Sequence, residues 1–479
     1  MESNSIRDED YPPGKKQKYL CNIIDQAQNT LTNDVIDHII SLLPIKNASQ
    51  TSILSKRFEK SWQHCKHLCF DYMFSRNLSQ KQVASIVNRI LMLHSSTKID
   101  TFHICISSRK IEALIVTWLK LVISKNPKVL NLDFFIGKSC LPNFEVPFDL
   151  LDIESIETLG FSYCNIELPP KFKGLHFLRT LVLRHIKLNS SFIKTIIYNC
   201  PLLECLDIVK CHNINHIEVN ASALKFFKVL KIRGCYQLDL AYITAPTLNV
   251  LHFVGKPNHV ILGGKMMELK DVMLHIKIIS YIFPRRKIKD LILKISHVRV
   301  LTITSTLLEV WILESELETT IGPKPYLWHL KEVQLLMETT SLCNPYDLVC
   351  FIDKCPVLER LFIDKFTFDG RGHYWTMHDS VKFDQYDKKL SFLKLVKISN
   401  FNFHVLELKL VKFFLEKALN LENLAIFTMK NYSVKKFSTV TAEFLQHLVT
   451  WKSSPRAKVG IYEHCDKEDD VLVPMHRDL

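Results

Sequence analysis

From residue 156 onward, apolar side chains return at the first, fourth and sixth positions of a short window, with polar stretches between windows. The clearest copies read Ile156-Glu-Thr-Leu159-Gly-Phe161, Leu178-Arg-Thr-Leu181-Val-Leu183, Leu203-Glu-Cys-Leu206-Asp-Ile208, Phe227-Lys-Val-Leu230-Lys-Ile232 and Leu248-Asn-Val-Leu251-His-Phe253. Their starts lie 22, 25, 24 and 21 residues apart. The last two apolar positions of each copy are two residues apart, so in an extended chain they share one face and can enter a common core. The pattern therefore predicts a stack of short strands, each followed by a turn and a returning segment. Weaker copies are expected at Leu269-Val272-Leu274, Ile288-Leu291-Leu293, Leu330-Val333-Leu335, Leu358-Leu361-Ile363, Leu393-Val396-Ile398 and Leu421-Leu424-Ile426, at less regular spacing.

Upstream the period changes. Within residues 31–70, Asn33 or Asp34 can cap a helix whose apolar positions Val35, Ile36, Ile39, Ile40 and Leu43 recur at helical spacing, with Pro44 to end it. A second helical segment is expected from Asn47 or Ala48, bringing Ile53 and Leu54 close to Phe58, with Trp62 as a large anchor one turn beyond. About forty residues cannot bury this much apolar surface by themselves, so part of it is expected to face a partner.

Both patterns carry a resemblance. The string Asp34-Val35-Ile36, Ile40-Ser41, Leu43-Pro44-Ile45-Lys46 and Ser52-Ile53-Leu54-Ser55-Lys56-Arg57-Phe58 resembles an F-box, with Thr32 where many members carry proline and Phe58 where tryptophan is commoner. The resemblance implies a three-helix module that docks on a Skp-family adaptor and so joins a cullin-based ubiquitin ligase. The adaptor-facing residues it implies are Val35, Ile36, Ile39, Leu42, Leu43, Pro44, Ile45, Ile53, Leu54 and Phe58. Roughly half of these are expected to pack the helices against one another instead.

The repeat itself is a leucine-rich-repeat signature. The near copies Tyr198-Asn199-Cys200-Pro201-Leu202-Leu203-Glu204 and Asp353-Lys354-Cys355-Pro356-Val357-Leu358-Glu359 resemble the repeat junctions of plant F-box proteins. Asn165, Cys211 and Cys235 follow their strands and read as buried turn residues bonding to neighbouring backbone. Residues 391–463 resemble the FBD region that follows such repeats, in Val396-Lys397-Ile398-Ser399-Asn400-Phe401, the helix-like run 407–418, Leu421-Glu422-Asn423-Leu424 and Ser453-Ser454-Pro455-Arg456-Ala457. From the residues alone, this stretch is a strand, an amphipathic helix with Leu408, Val411, Phe414, Leu415 and Ala418 inward, and another strand.

The expected fold is thus α/β: a short N-terminal three-helix F-box followed by a curved leucine-rich-repeat solenoid. The expected limits are 1–30 disordered, 31–72 F-box, 73–390 repeats, 391–463 FBD-like terminal repeats and 464–479 a polar tail. Composition agrees. Across 479 residues, 47% are hydrophobic and only 12 are glycine, which excludes collagen-like and disordered classes. No apolar run reaches membrane-spanning length, and the acidic, polar start does not resemble a signal peptide, so cytosol or nucleus is expected.

In a reducing compartment the 14 scattered cysteines should be free, mostly as small buried hydrophobes. His64, Cys65, His67 and Cys69 include zinc-ligand types, but their spacing suits tetrahedral geometry poorly, and no metal or cofactor is expected. The net charge of +13 permits contact with phosphate or nucleic acid without establishing it. Lys15-Lys16-Gln17-Lys18 and Arg285-Arg286-Lys287-Ile288-Lys289 lack the interleaved aromatics of a single-strand platform, so a solvated basic face is expected. Phosphate-loop, dinucleotide, zincin and nucleophile-elbow strings do not occur, and Gly263-Gly264-Lys265 is expected as a turn.

The sequence therefore points to a non-catalytic substrate receptor of a Skp-cullin-F-box ubiquitin ligase, with an unknown protein substrate on the repeats. Two alternatives stay open. One is a ligand-sensing F-box receptor with a basic pocket; the other is an adaptor-independent scaffold or nucleic-acid-binding repeat protein.

Overall fold

The computed structural model describes residues 32–54, 56–135, 144–147, 154–169, 172–173, 175–255, 259–276, 285–317, 326–338, 343–364, 379–428, 446–448, 450–462 and 472–476. The expected disordered segment 1–30 lies outside them. Residue contacts divide the chain into two compact units, Met1–Tyr163 and Cys164–Leu479.

The first unit opens with helices Asn33–Ser41 and Ile45–Thr51 and two short 3-10 turns, Lys56–Phe58 and Ser61–His64. Thr32, not Asn33 or Asp34, is the N-cap residue, and Asp34 falls in the first turn, where a carboxylate favours the helix dipole. The second helix starts at Ile45, two residues before the expected start, because Pro44 has extended backbone and serves as its N-cap.

Strand His67–Phe70 then begins a parallel ladder with Thr101–Cys105, Val129–Asp133 and Thr158–Ser162. Leu68, Phe102, Leu130 and Leu159 form one row, and Phe70, Ile104, Leu132 and Phe161 the next. All eight are buried. Helices Gln80–Leu93 and Glu112–Ile123 bury Val83, Val87 and Leu91, and Ile115, Trp118 and Val122. Ser79 and Gln82 close a capping box on the first of these helices. The ladder thus starts well before residue 156.

In the second unit, eleven described strands follow one another in chain order, parallel throughout: Thr180–Arg184, Cys205–Val209, Val229–Arg233, Val250–Gly255, Asp271–Ile276, Val300–Thr304, Glu332–Leu336, Arg360–Asp364, Leu395–Phe401, Asn423–Thr428 and Lys458–Tyr462. Their register stacks Leu181, Leu206, Leu230, Leu251, Val272, Leu301 and Val333 in one row and Leu183, Ile208, Ile232, Phe253, Leu274, Ile303 and Leu335 in the next. Each of these side chains is at most 1% exposed, which fixes this face as the core. Strands His216–Asn220, Leu240–Thr244 and His259–Leu262 form a second, smaller parallel sheet along the returning segments. Elsewhere the return is helical, as in Ser190–Asn199, capped by the Asn189 side chain.

After several strands the backbone turns through the left-handed region, at His185, Lys210 and Gly234. In each case the turning N–H bonds a carbonyl at the end of the next strand: Val209, Arg233 and Val254. Only the third turn uses the residue that adopts this conformation without strain.

One expected strand is not a strand. Ile288, Leu291 and Leu293 lie in the helix Arg285–Lys294. Leu291 and Ile292 are buried there while Leu293 is exposed, the pattern of a helix face. The strand belongs to Val300–Thr304, where Val298, Leu301 and Ile303 repeat the same pattern ten residues later. The helix Val405–Lys417 matches the expected amphipathic segment and buries Val411, Phe414 and Leu415. Leu408 is only half-buried, and Leu406 and Leu410 take the inward positions instead. Ala418 is buried just past the helix end.

Cys211 and Cys235 are buried with their thiols toward backbone carbonyls, as the turn reading anticipates, whereas Asn165 lies in the short strand Asn165–Ile166.

Candidate functional site

Two surfaces carry functional character, one in each unit. The first is the helix pair Asn33–Ser41 and Ile45–Thr51. Its apolar residues divide cleanly between two faces. Ile36, Ile40, Ile45 and Ala48 are buried. Val35, Ile39 and Leu42 are 42%, 49% and 54% exposed, and beyond the second helix Ile53 and Leu54 are 84% and 65% exposed. Val35, Ile39 and Leu42 are spaced four and then three residues apart, which aligns them along one helix face. Of the remaining sequence-derived candidates, Leu43 and Phe58 are half-buried and Pro44 is exposed. Ile36 and Ile45 therefore pack the module, and the others leave apolar area open to a partner.

The pair is fastened from below. Lys66 N–H donates to the Ser41 carbonyl at 3.0 Å, the Cys65 thiol reaches the Leu43 carbonyl at 2.9 Å, and Pro44 bridges His67 at the start of the ladder. Burial pushes the Cys65 thiol up to about 11, so it stays protonated as a donor. Its protonation, together with the bond from His67 Nδ1 to the Thr101 hydroxyl at 3.2 Å, commits two members of the Cys and His cluster at 64–69 to structure.

Deeper in the unit His94 is buried. Its Nε2 lies 2.8 Å from the Cys65 carbonyl and its Nδ1 lies 2.9 Å from the Lys125 ammonium. The ring is thus the Nε2–H tautomer, donating to the carbonyl and accepting from the ammonium. Burial, reinforced by the neighbouring Lys125 charge, lowers its pKa below 6.5.

The second surface is the outward face of the strands in the second unit. In register across neighbouring strands it presents Asp207, Lys231, His252, Met273, Thr302, Gln334, Phe362 and Lys397. Several of these polar groups are already engaged. Arg233 Nη2 holds both oxygens of Asp207, at 3.2 and 2.9 Å, and Arg360 donates to Glu332 at 2.8 Å. Lys397 lies 4.6 Å from the centre of the Phe427 ring, which stacks on Tyr462.

Residues 472–476 run along part of this face. The Val473 carbonyl accepts from Arg360 at 2.9 Å, Met475 N–H donates to Glu332 at 2.7 Å, and His476 is buried against Asp271 and Thr302. From the sequence, His252 reads only as a core or surface residue of a repeat strand and Lys397 only as part of the FBD-like string, and no function is assigned to any of these face residues, because outward strand positions carry no periodic signal of their own.

Parallel strands that return every 21–35 residues, each sending two alternate apolar side chains into a continuous core, define an α/β leucine-rich-repeat protein. The chain belongs to the family of the At1g61320/AtMIF1 LRR domain, whose model matches residues 90–468. Among similar proteins is the FBD-associated F-box protein At1g61320 of Arabidopsis thaliana, 27% identical over 420 residues, covering 85% of this chain and 90% of that protein. At1g61330 of the same plant is 29% identical over 414 residues, covering 84% of this chain and 91% of that protein. F-box/LRR-repeat protein 25, also from Arabidopsis thaliana, is 24% identical over 252 residues, covering 48% of this chain and 86% of that protein. A plant F-box, leucine-rich-repeat and FBD protein is what this chain resembles over most of its length. Among the described residues, no helix is long and apolar enough to cross a membrane.

Proposed function

We propose that the chain is the substrate-recognition subunit of a Skp-cullin-F-box ubiquitin ligase, non-catalytic itself and working in cytosol or nucleus. In this reading residues 31–72 bind a Skp-family adaptor and through it the cullin. Residues 73–390 form the curved repeat solenoid that captures a protein substrate, 391–463 extend it as FBD-like terminal repeats, and 464–479 are a tail.

The observation that carries the reading is the exposed set Val35, Ile39, Leu42, Ile53 and Leu54 on a helix pair whose inner residues are fully packed. Such a stripe is what a helix-in-groove partner covers. It stands in a chain whose relatives are named as F-box proteins. The ligand-sensing alternative draws less support, because Arg233 and Arg360 on the strand face are paired with Asp207 and Glu332 instead of converging on an open basic pocket.

The test is binding of purified Skp adaptor to the full chain and to Ile39→Asp/Ile53→Asp and Leu43→Ala/Pro44→Ala variants. Ile39 and Ile53 touch water in the free chain, so their replacement should leave the circular dichroism unchanged and weaken adaptor binding at least about 30-fold, since 2 kcal/mol of lost apolar contact is of that size. The Leu43 and Pro44 pair should weaken binding as well, with some loss of module stability. Adaptor affinity unchanged in both variants, or no affinity in the unaltered chain, would overturn the proposal in favour of a scaffold.

A further inference from the structure

His252 and Asp271 lie on the same outward face of the adjacent strands Val250–Gly255 and Asp271–Ile276. His476 reaches them from residues 472–476. One potential ligand atom from each residue falls within 4.8 Å of the other two. We infer that His252, Asp271 and His476 form a site for a zinc-class divalent cation that fastens residues 472–476 to the strand face.

Three features of the hydrogen bonding support this. His252 Nε2 is buried without a hydrogen-bond partner, and it stands 3.6 Å from Asp271 Oδ1, too far for one. A buried nitrogen left in this way is costly unless something fills the gap. Secondly, Thr302 Oγ1 donates to Gln334 Oε1 at 3.2 Å and lies 2.6 Å from His476 Nδ1. The hydroxyl has one proton, so it must accept from Nδ1–H. That leaves His476 Nε2 directed at Asp271 Oδ1 at 2.5 Å. A lone pair facing a carboxylate oxygen at that distance needs a positive charge between or upon them.

Thirdly, the donor set suits the cation. Two imidazole nitrogens and one carboxylate oxygen, with a fourth position for water, are a familiar zinc arrangement. Metal bonds of about 2.0–2.2 Å in a tetrahedral site place ligand atoms about 3.3 Å apart. The 3.6 Å pair is close to this, the 2.5 Å pair must open by less than an ångström, and the two imidazole nitrogens, within 4.8 Å of each other, must come to the same separation. Thr302 would then act as the outer partner that fixes the tautomer of a ligating histidine. Lys231, the register partner of His252, is the nearby cation that opposes binding.

The test uses the full chain stripped with a chelator, then titrated with Zn2+ or Co2+. One equivalent should bind, with the visible absorption of tetrahedral Co2+ and without the intense near-ultraviolet band of cobalt-thiolate bonding, which separates this site from the cysteines. Zn2+ should raise the melting temperature and slow amide exchange at residues 472–476. His252→Ala and His476→Ala should each weaken binding at least about a hundredfold, and Thr302→Val about 10–100-fold. The inference is overturned if no cobalt spectrum forms, if both histidine variants bind as well as the parent, or if the metal leaves exchange at 472–476 unchanged. The first of these outcomes would leave His252, Asp271 and His476 as a polar cluster that holds no metal.

Discussion

Leu206 stands on the second strand of the second unit's ladder, in register with Leu181 on one side and Leu230 on the other, and none of the three is more than 1% exposed. Replacing it with alanine removes three carbons from a row that cannot collapse, because the strands on both sides are fixed by their own hydrogen bonds. Leucine truncations of this kind cost about 2–5 kcal/mol, and full burial places this site in the upper half of that range. Leu206→Asp adds an unpaired carboxylate to the loss of about 2–3 kcal/mol of apolar transfer, and the sum rivals the whole stability of an ordinary domain of about 5–15 kcal/mol. The control is Val182→Thr, one position along the neighbouring strand and half-buried on the opposite face, where the effect should stay near 0.5 kcal/mol. Urea unfolding followed by far-ultraviolet circular dichroism reads all three. Leu206→Ala should shift the midpoint clearly downward, and Leu206→Asp should fail to yield a cooperative transition. Equal midpoints for Leu206→Ala and Val182→Thr would refute the register, and with it the assignment of core and outward faces.

Two further outcomes follow from buried polar groups. Folding lowers the pKa of His94 below 6.5, so the unfolded chain takes up the proton first, and the stability held above pH 6.5 falls as pH drops through it, by at most about 1.4 kcal/mol per pH unit from this group. His94→Gln, which can still donate to the Cys65 carbonyl, should flatten the fall between pH 6.5 and 5 in thermal melts, and an unaltered slope would show that another group carries it. Glu407 is buried and its Oε2 accepts from the N–H groups of Asn402 at 2.8 Å and His404 at 3.3 Å, closing the cap of the helix Val405–Lys417. Glu407→Ala should cost about 2–4 kcal/mol in urea unfolding while Glu407→Gln recovers part of it; equal loss in both would count against the capping role.

The ladder was readable because a two-residue spacing in extended chain leaves little freedom: Leu181 and Leu183, or Leu206 and Ile208, had to share a face. The same reasoning misplaced 288–293, since apolar residues three apart satisfy a helix as well as a strand, and only the exposure of Leu293 separates the two. It also started the ladder late. Ile99, Phe102 and Ile104 carry the repeat pattern, yet helices of ordinary amphipathic character lie between these early strands and obscure the period. In the helical module the apolar set was legible, but dividing it into packed Ile36 and Ile45 and exposed Val35, Ile39 and Leu42 requires the phase of a helix that begins one residue after Thr32. The grouping of His252, Asp271 and His476 left no local trace at all, because its third member comes from a segment far along the chain.

That distance has a kinetic meaning. Ladder neighbours such as Leu206 and Leu230 meet after closing a short loop, and each new strand finds a template already in place. Residues 472–476 must instead close loops of 113, 143 and 205 residues to reach Arg360, Glu332 and Asp271. Made before the strands form, the longest of these closures would cost about 2 kcal/mol more in chain entropy than a 25-residue one, so the contacts form most cheaply once the ladder is in place. The segment is accordingly expected to settle after the strands on which it lies. Were it to open, Asp271, Thr302, Glu332 and Arg360 would each give up a hydrogen bond that the segment supplies, while the strand-to-strand hydrogen bonds would be untouched.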